Sequence, residues 1–265
     1  MRSLITILAA GLLATLPVAA ESFDHSGFDL VLSTYVNALG QVDYASLKAN
    51  RSGLDAYVAA LGETSPKSHP KRFPTRKDKL AYWINAYNAL VLRGVIDAYP
   101  VKSVKDIKYF MGFFNRTWST VGGESYTLNN IEHDVLRAEF KEPRIHAAIN
   151  CASVGCPRLE PTAFFADGID DQLEAVMRKF LNESRNVTIE ASRKRVTLSK
   201  ILDWFGSDFT NWYESKLNVD DARILDYVAL YVEGERAAGL DRTWEVRFHD
   251  YDWSLNDQAG PQEMP

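Results

Sequence analysis

Two cysteines, Cys151 and Cys156, stand five residues apart in the segment NCASVGCP, and a run of polar side chains leads up to them. A thiol becomes a nucleophile when nearby positive charge or hydrogen bonding favours its thiolate, and it then needs a base within reach. If Arg144–Ile149 is a strand, Arg144, His146 and Ala148 share one face with Asn150 just beyond, and the apolar side chains Ile145, Ala147 and Ile149 share the other. The polar face then carries a cation, an imidazole and an amide toward Cys151. His146 and His133 are both candidates for the base, and the residues alone do not choose between them. Arg144 and Asn150 are candidates to hold substrate, with Asn150 also placed to steady an imidazole.

Glu132 is the acid that fits its surroundings least. On an α-helical wheel it falls within the apolar arc of Leu128, Ile131, Val135 and Leu136, with His133 at the edge and Arg137 one turn on. A carboxylate there must be paired, accept hydrogen bonds or keep its proton. Structural pairing and a catalytic role both satisfy that demand. The expectation is an inward Glu132 within hydrogen-bond reach of His146, Arg144 or the Cys151 loop. Asn85 and Asn88 pose a similar question on an otherwise apolar helix: they either tie down loop backbone or line a site.

Other readings of the cysteine segment use the same residues. A close pair in an exported chain suggests a Cys151–Cys156 disulfide closing a small loop. The spacing His146-x4-Cys151-x4-Cys156 raises metal ligation, but it is not a usual close ligand pair and the chain has no HExxH, so no metal site is assigned. Neither a phosphate-cradling glycine loop nor a GxSxG elbow is present, and no cofactor is implied. With 30 basic against 35 acidic residues and no basic–aromatic stripe, a nucleic-acid surface is not expected.

The elements that must position these groups follow from periodicity. Gly27–Leu39 and Leu54–Leu61 read as amphipathic helices, and 62–74, with three prolines, as a linker or exposed loop. Thr75, with Asp78 as a capping partner, opens the strongest helix, apolar nearly all round and running to about Ala98. Trp118–Val121 and Glu124–Tyr126 form a hairpin about Gly122–Gly123, and Thr127 caps a helix to Arg137. Helices at Asp170–Leu181, Ile201–Phe209 and Asp221–Glu233, a hairpin of Val187–Glu190 with Arg195–Leu198, and a closing strand at Trp244–Phe248 complete the pattern. Without a strand–helix–strand rhythm the class is α+β: one domain with a helix-rich N-terminal half, β-hairpins and a short mixed or antiparallel sheet.

At the N-terminus, Arg2, an apolar run from Leu4 to Val18 and Val18-Ala19-Ala20 form the pattern of a cleavable secretory signal over residues 1–20. The mature domain then spans 21–265 in the periplasm or outside the cell. No later stretch is long and apolar enough for stable membrane insertion.

Four ordered segments resemble one family. YWINAYNAL (Tyr82–Leu90), LNNIEHDVLR (Leu128–Arg137), PRIHAAINCASVGCP (Pro143–Pro157) and DYDWSLN (Asp250–Asn256) are similar to the motifs of domain-of-unknown-function family 547, over roughly Val42–Asn256. Exported bacterial members are common in that family, and it is loosely associated with papain- and transglutaminase-like cysteine enzymes. The resemblance and the residues together imply an exported protein acting as a cysteine-dependent hydrolase or acyl transferase on peptide or amide bonds of the cell envelope. Cys151 would attack, His133 or His146 would take the proton, and Glu132 or Asn150 would orient the imidazole. The alternative is a non-catalytic envelope binding module stapled by Cys151–Cys156.

Overall fold

The long helix that begins after Thr75 is the axis about which the rest is arranged in the computed structural model, which describes residues 22–108, 111–234 and 239–260. The expected signal segment and the expected mature start at Glu21 lie outside the described residues. Before the long helix come α1 (Ser26–Tyr35), α2 (Tyr44–Ala49) and α3 (Ser52–Glu63), and the long helix itself is α4 (Arg76–Ala98). Thr75 and Asp78 close a reciprocal capping box: the Asp78 amide donates to Thr75 Oγ1 at 3.1 Å, and the Thr75 amide donates to Asp78 Oδ2 at 2.8 Å. Two N-terminal amides are thereby satisfied, and α4 is buried on nearly every side against α2, α3 and the helix that follows the first hairpin.

That hairpin lies C-terminal to a short α5 (Gly112–Arg116). β1 (Trp118–Val121) pairs antiparallel with β2 (Glu124–Thr127) across Gly122 and Gly123, at φ +59° and +83°. Both turn residues are left-handed, as the strand twist of a two-residue turn requires. A Cβ on Gly122 would also lie 2.1 Å from Ser65 Oγ. The segment 62–74 is therefore packed rather than a linker, with Ser65 and Phe73 buried.

Beyond β2 the chain forms a π-helix, Asn130–Phe140, with buried Ile131, Val135, Leu136 and Phe140. Phe140 is nine residues past Ile131, half a turn out of phase on a 3.6-residue α-helix. The wider i→i+5 turn brings both to the same face. Next comes α6 (Ile145–Ala148), a single helical turn where alternation suggested a strand. Period two misled because His146 is as buried as Ile145, Ala147 and Ala148, so the segment has no polar face.

α7 (Ile169–Asn182) leads to a three-stranded sheet in the order β3–β4–β5, formed by Val187–Glu190, Arg195–Leu198 and Glu245–Phe248. β3 and β4 are antiparallel, β4 and β5 parallel, so the sheet is mixed. Ile201–Phe209, expected as one helix, is two: α8 (Lys200–Trp204) and α9 (Gly206–Leu217), meeting at Phe205. The helix expected over Asp221–Glu233 is shorter, α10 (Ile224–Val228). One continuous apolar cluster joins the helical half to the mixed sheet, which makes the chain a single α+β domain. Among the described residues no helix is long and apolar enough to cross a membrane.

Candidate functional site

The four sequence motifs converge in space. Asn88 of α4 donates to the Ala148 carbonyl at 3.0 Å, satisfying a C-terminal carbonyl of α6, and accepts the Asn150 amide at 2.9 Å. Asn150 in turn donates to the Pro157 carbonyl at 2.6 Å and accepts the Ala152 amide at 2.8 Å, drawing the two ends of the cysteine loop together. The C-terminal segment clamps the loop from outside: Val154 N–H donates to Ser254 O at 2.8 Å, Gly155 N–H to Asp252 O at 2.8 Å, and Asn256 N–H to Ala152 O at 3.1 Å.

The clamp delivers Tyr251 to Cys151, with the phenol oxygen 3.0 Å from the sulfur. Cys151 is partly exposed, Cys156 is buried, and both are free thiols, so the disulfide-stapled loop is not the state of this structure. Burial pushes the Cys151 thiol up, yet hydrogen bonds from Cys156, Tyr251 and Ser153 outweigh it and hold the thiol below its ordinary pKa. Burial pushes Cys156 well up, and the neighbouring Cys151 adds to the effect. Activation by the cation of Arg144 was the expectation; neutral donors perform it instead.

Cys151, Glu132, His133 and His146 line one cavity of about 150 Å³. That space equals about five waters at bulk density, room for a side chain rather than for a macromolecule. Its mouth is aromatic: Tyr251 lies 4.8 Å from Trp204 and 4.5 Å from Trp253 between ring centroids. The other four candidates do not line it. Asn85 holds the Phe164 backbone at both its amide and its carbonyl (2.9 and 2.7 Å), Asn88 and Asn150 hold the loop, and Arg144 forms a bidentate pair with Glu142, both contacts at 2.8 Å. Their polar groups are engaged in structure, because α6 is a helical turn and does not aim Arg144 at the cysteine.

Glu132 does point inward, but its partner is the Tyr87 hydroxyl at 3.2 Å, not His146, Arg144 or the loop. Burial raises its pKa to about 7, more than the bond from Tyr87 and the charge of Arg137 lower it. Near neutral pH this carboxyl is poised to give or take a proton.

The histidines are separated by their hydrogen bonds. His146 Nε2–H donates to Asp208 Oδ2 at 2.8 Å, leaving Nδ1 with its lone pair. His133 Nδ1 accepts from the Arg137 guanidinium at 2.7 Å, so its lone pair is occupied. Asp208 also takes Arg137 through Nε and Nη2 at 2.6 and 2.9 Å. Burial raises the Asp208 pKa, but His146 and Arg137 together hold it well below the usual carboxylate range. Burial lowers the pKa of His146, whose ring stacks on Phe205 at 4.1 Å, and keeps the imidazole neutral. The residue that steadies the imidazole is therefore Asp208, not Glu132 or Asn150. No periodicity marked Asp208, one of two acids in an aromatic stretch with Asp203; Tyr251, by contrast, stood inside the last of the four motifs. Among the described residues no three His, Cys, Asp or Glu side chains gather as a metal site.

Residues 70–181 match the model of a family described as "Protein of unknown function, DUF547". No curated protein and no solved structure matches the chain. The matched stretch holds the Asn85–Asn88 helix, the Glu132 helix and the cysteine loop, and the C-terminal segment that clamps the loop lies beyond it. Over that stretch the chain is similar to the domain-of-unknown-function family 547.

Proposed function

We propose that the protein is a cysteine-dependent hydrolase or acyl transferase acting on peptide or amide bonds, exported to the cell envelope. The observation that carries this reading is the convergence of a low-pKa thiol at Cys151 with a neutral imidazole at His146 and a carboxyl at Glu132 on one cavity. The Cys151 thiolate attacks the acyl carbon, with His146 Nδ1 as the base for its proton. The C–N bond breaks, the amine departs with a proton from the imidazolium or from Glu132, and water or an acceptor amine releases the acyl group. Asp208 holds the imidazole in the tautomer that leaves Nδ1 free. Export rests on the N-terminal signal pattern of residues 1–20.

The experiment is to treat the reduced protein with an activated acyl ester and map the adduct by peptide mass. Acyl groups should accumulate on Cys151, and His146→Gln should slow the appearance of adduct at least tenfold. An unmodified Cys151, or acylation spread over lysines at the same rate, would sink the reading.

A further inference from the structure

Acyl transfer leaves Cys156 without a chemical role, yet the fold brings its sulfur against the nucleophile. The turn closed by Cys156 N–H donating to Ser153 O at 3.0 Å folds the chain back, and Ala152 enters it at φ +63°. Cys151 N–H then donates to Cys156 Sγ at 3.0 Å, and both residues line the same cavity. Nothing covalent joins them; the clamp does the work. Gly155 is part of that fit, because a Cβ there would lie 2.9 Å from Asp252 N.

The pair is asymmetric. Cys151 is partly exposed at the cavity wall and carries Tyr251 on its sulfur, whereas Cys156 is only 5% exposed. We propose that Cys151 and Cys156 are a thiol–disulfide exchange pair, with Cys151 the attacking sulfur and Cys156 the resolving sulfur, acting on the disulfide of a small thiol or peptide. In the first step the Cys151 thiolate attacks one sulfur of the substrate disulfide. The substrate S–S bond breaks, one thiolate leaves and is protonated, and a mixed disulfide remains on Cys151. In the second step Cys156 gives its proton to a base of the cavity and attacks the Cys151 sulfur. The mixed disulfide breaks, the second substrate thiol departs with a proton, and a Cys151–Cys156 bond forms. Two electrons pass from the pair to the substrate, and two protons end on the released thiols. The reverse sequence oxidises a substrate dithiol.

The lowered pKa of the outer thiol and the raised pKa of the inner one fit those two roles. The donors on Cys151 also bear on direction. They stabilise the reduced form, which shifts exchange toward the dithiol and makes the disulfide form an oxidant rather than a structural bridge. This inference does not require acyl transfer, since it uses a second sulfur and forms no acyl bond.

The test equilibrates the full chain with mixtures of oxidised and reduced glutathione, quenches with acid and reads the cysteines by peptide mass. Wild type is expected to pass to an internal 151–156 disulfide under oxidised glutathione and back to two thiols under reduced glutathione. Cys156→Ser should stop at a glutathione adduct on Cys151, and Cys151→Ser should react at least tenfold more slowly than wild type. A stable adduct on wild-type Cys151, or two unreacted thiols, overturns the proposal, and neither result depends on a variant folding. The acyl ester and glutathione are applied to the same wild-type protein. Acylation without an internal disulfide removes the exchange activity alone, and the disulfide without acylation removes acyl transfer alone.

Discussion

At the scale of single residues, the site is an arrangement of hydrogen-bond donors around one sulfur. Tyr251 is the donor whose removal changes least else, because Tyr251→Phe keeps the ring against Trp204 and Trp253. A hydrogen bond to a charged acceptor is worth about 1.5–3 kcal/mol, which corresponds to about one to two units in the pKa of Cys151. Alkylation rate against pH should therefore shift upward by that amount in Tyr251→Phe; an unmoved profile would show that the phenol does not support the thiolate. Residue types alone marked Cys151, Glu132, His133 and His146, since thiol, carboxyl and imidazole on or near apolar segments carry their own signal. What they did not reveal was which histidine keeps a lone pair. That depends on Arg137 and Asp208, and Asp208 lies 62 residues from His146 in sequence.

At the scale of elements, α4 was legible because its capping box, length and all-round apolar character agree, and α6 was not, because four residues support either period. The amides of α4 matter through α6. Asn88→Ala would leave the Ala148 carbonyl and the Asn150 amide buried without partners, at about 1–3 kcal/mol each. Trp83→Ala, on the same helix but 4% exposed against Tyr126, should cost about 3–5 kcal/mol through lost packing. The two variants should thus lose similar stability in chemical denaturation. They should differ at the loop: Cys151 alkylation below the midpoint slows severalfold in Asn88→Ala and stays at the wild-type rate in Trp83→Ala. Equal reactivity would mean that Asn88 does not set the loop. The π-helix is the opposite case to α4. Its first apolar residues fit the α-helical period and put Glu132 inward, but buried Phe140 falls half a turn out of phase, so the wider turn was not legible.

At the scale of the whole molecule, two buried groups on different parts of the fold set opposing slopes of stability with pH. Glu132 titrates at about 7 when folded against 4.5 when unfolded. Between those values the folded state holds a proton that the unfolded state has released, so stability falls as pH rises through the window. His25, beside Tyr57 at 2.7 Å, is held down to about 4 against 6.5, with burial the cause. There the unfolded state binds the extra proton, so stability is full above about 6.5 and is lost as pH falls toward 4. Each shift amounts to about 3 kcal/mol at 1.36 kcal/mol per unit, and the windows overlap almost entirely. The lowered pKa of His146 acts in the direction of His25. Wild-type stability should therefore change only shallowly from pH 4.5 to 7, rising slightly. Glu132→Gln keeps an acceptor for Tyr87 and removes the falling component, so its stability should climb by about 3 kcal/mol more than wild type over that range. His25→Gln removes a rising component, and its stability should flatten or decline. Urea midpoints at four pH values on the three proteins read the slopes directly, independent of any fixed cost of either substitution. Parallel slopes in wild type and Glu132→Gln would show that Glu132 titrates as an ordinary exposed acid, which would also remove it from the proton chemistry of the cavity.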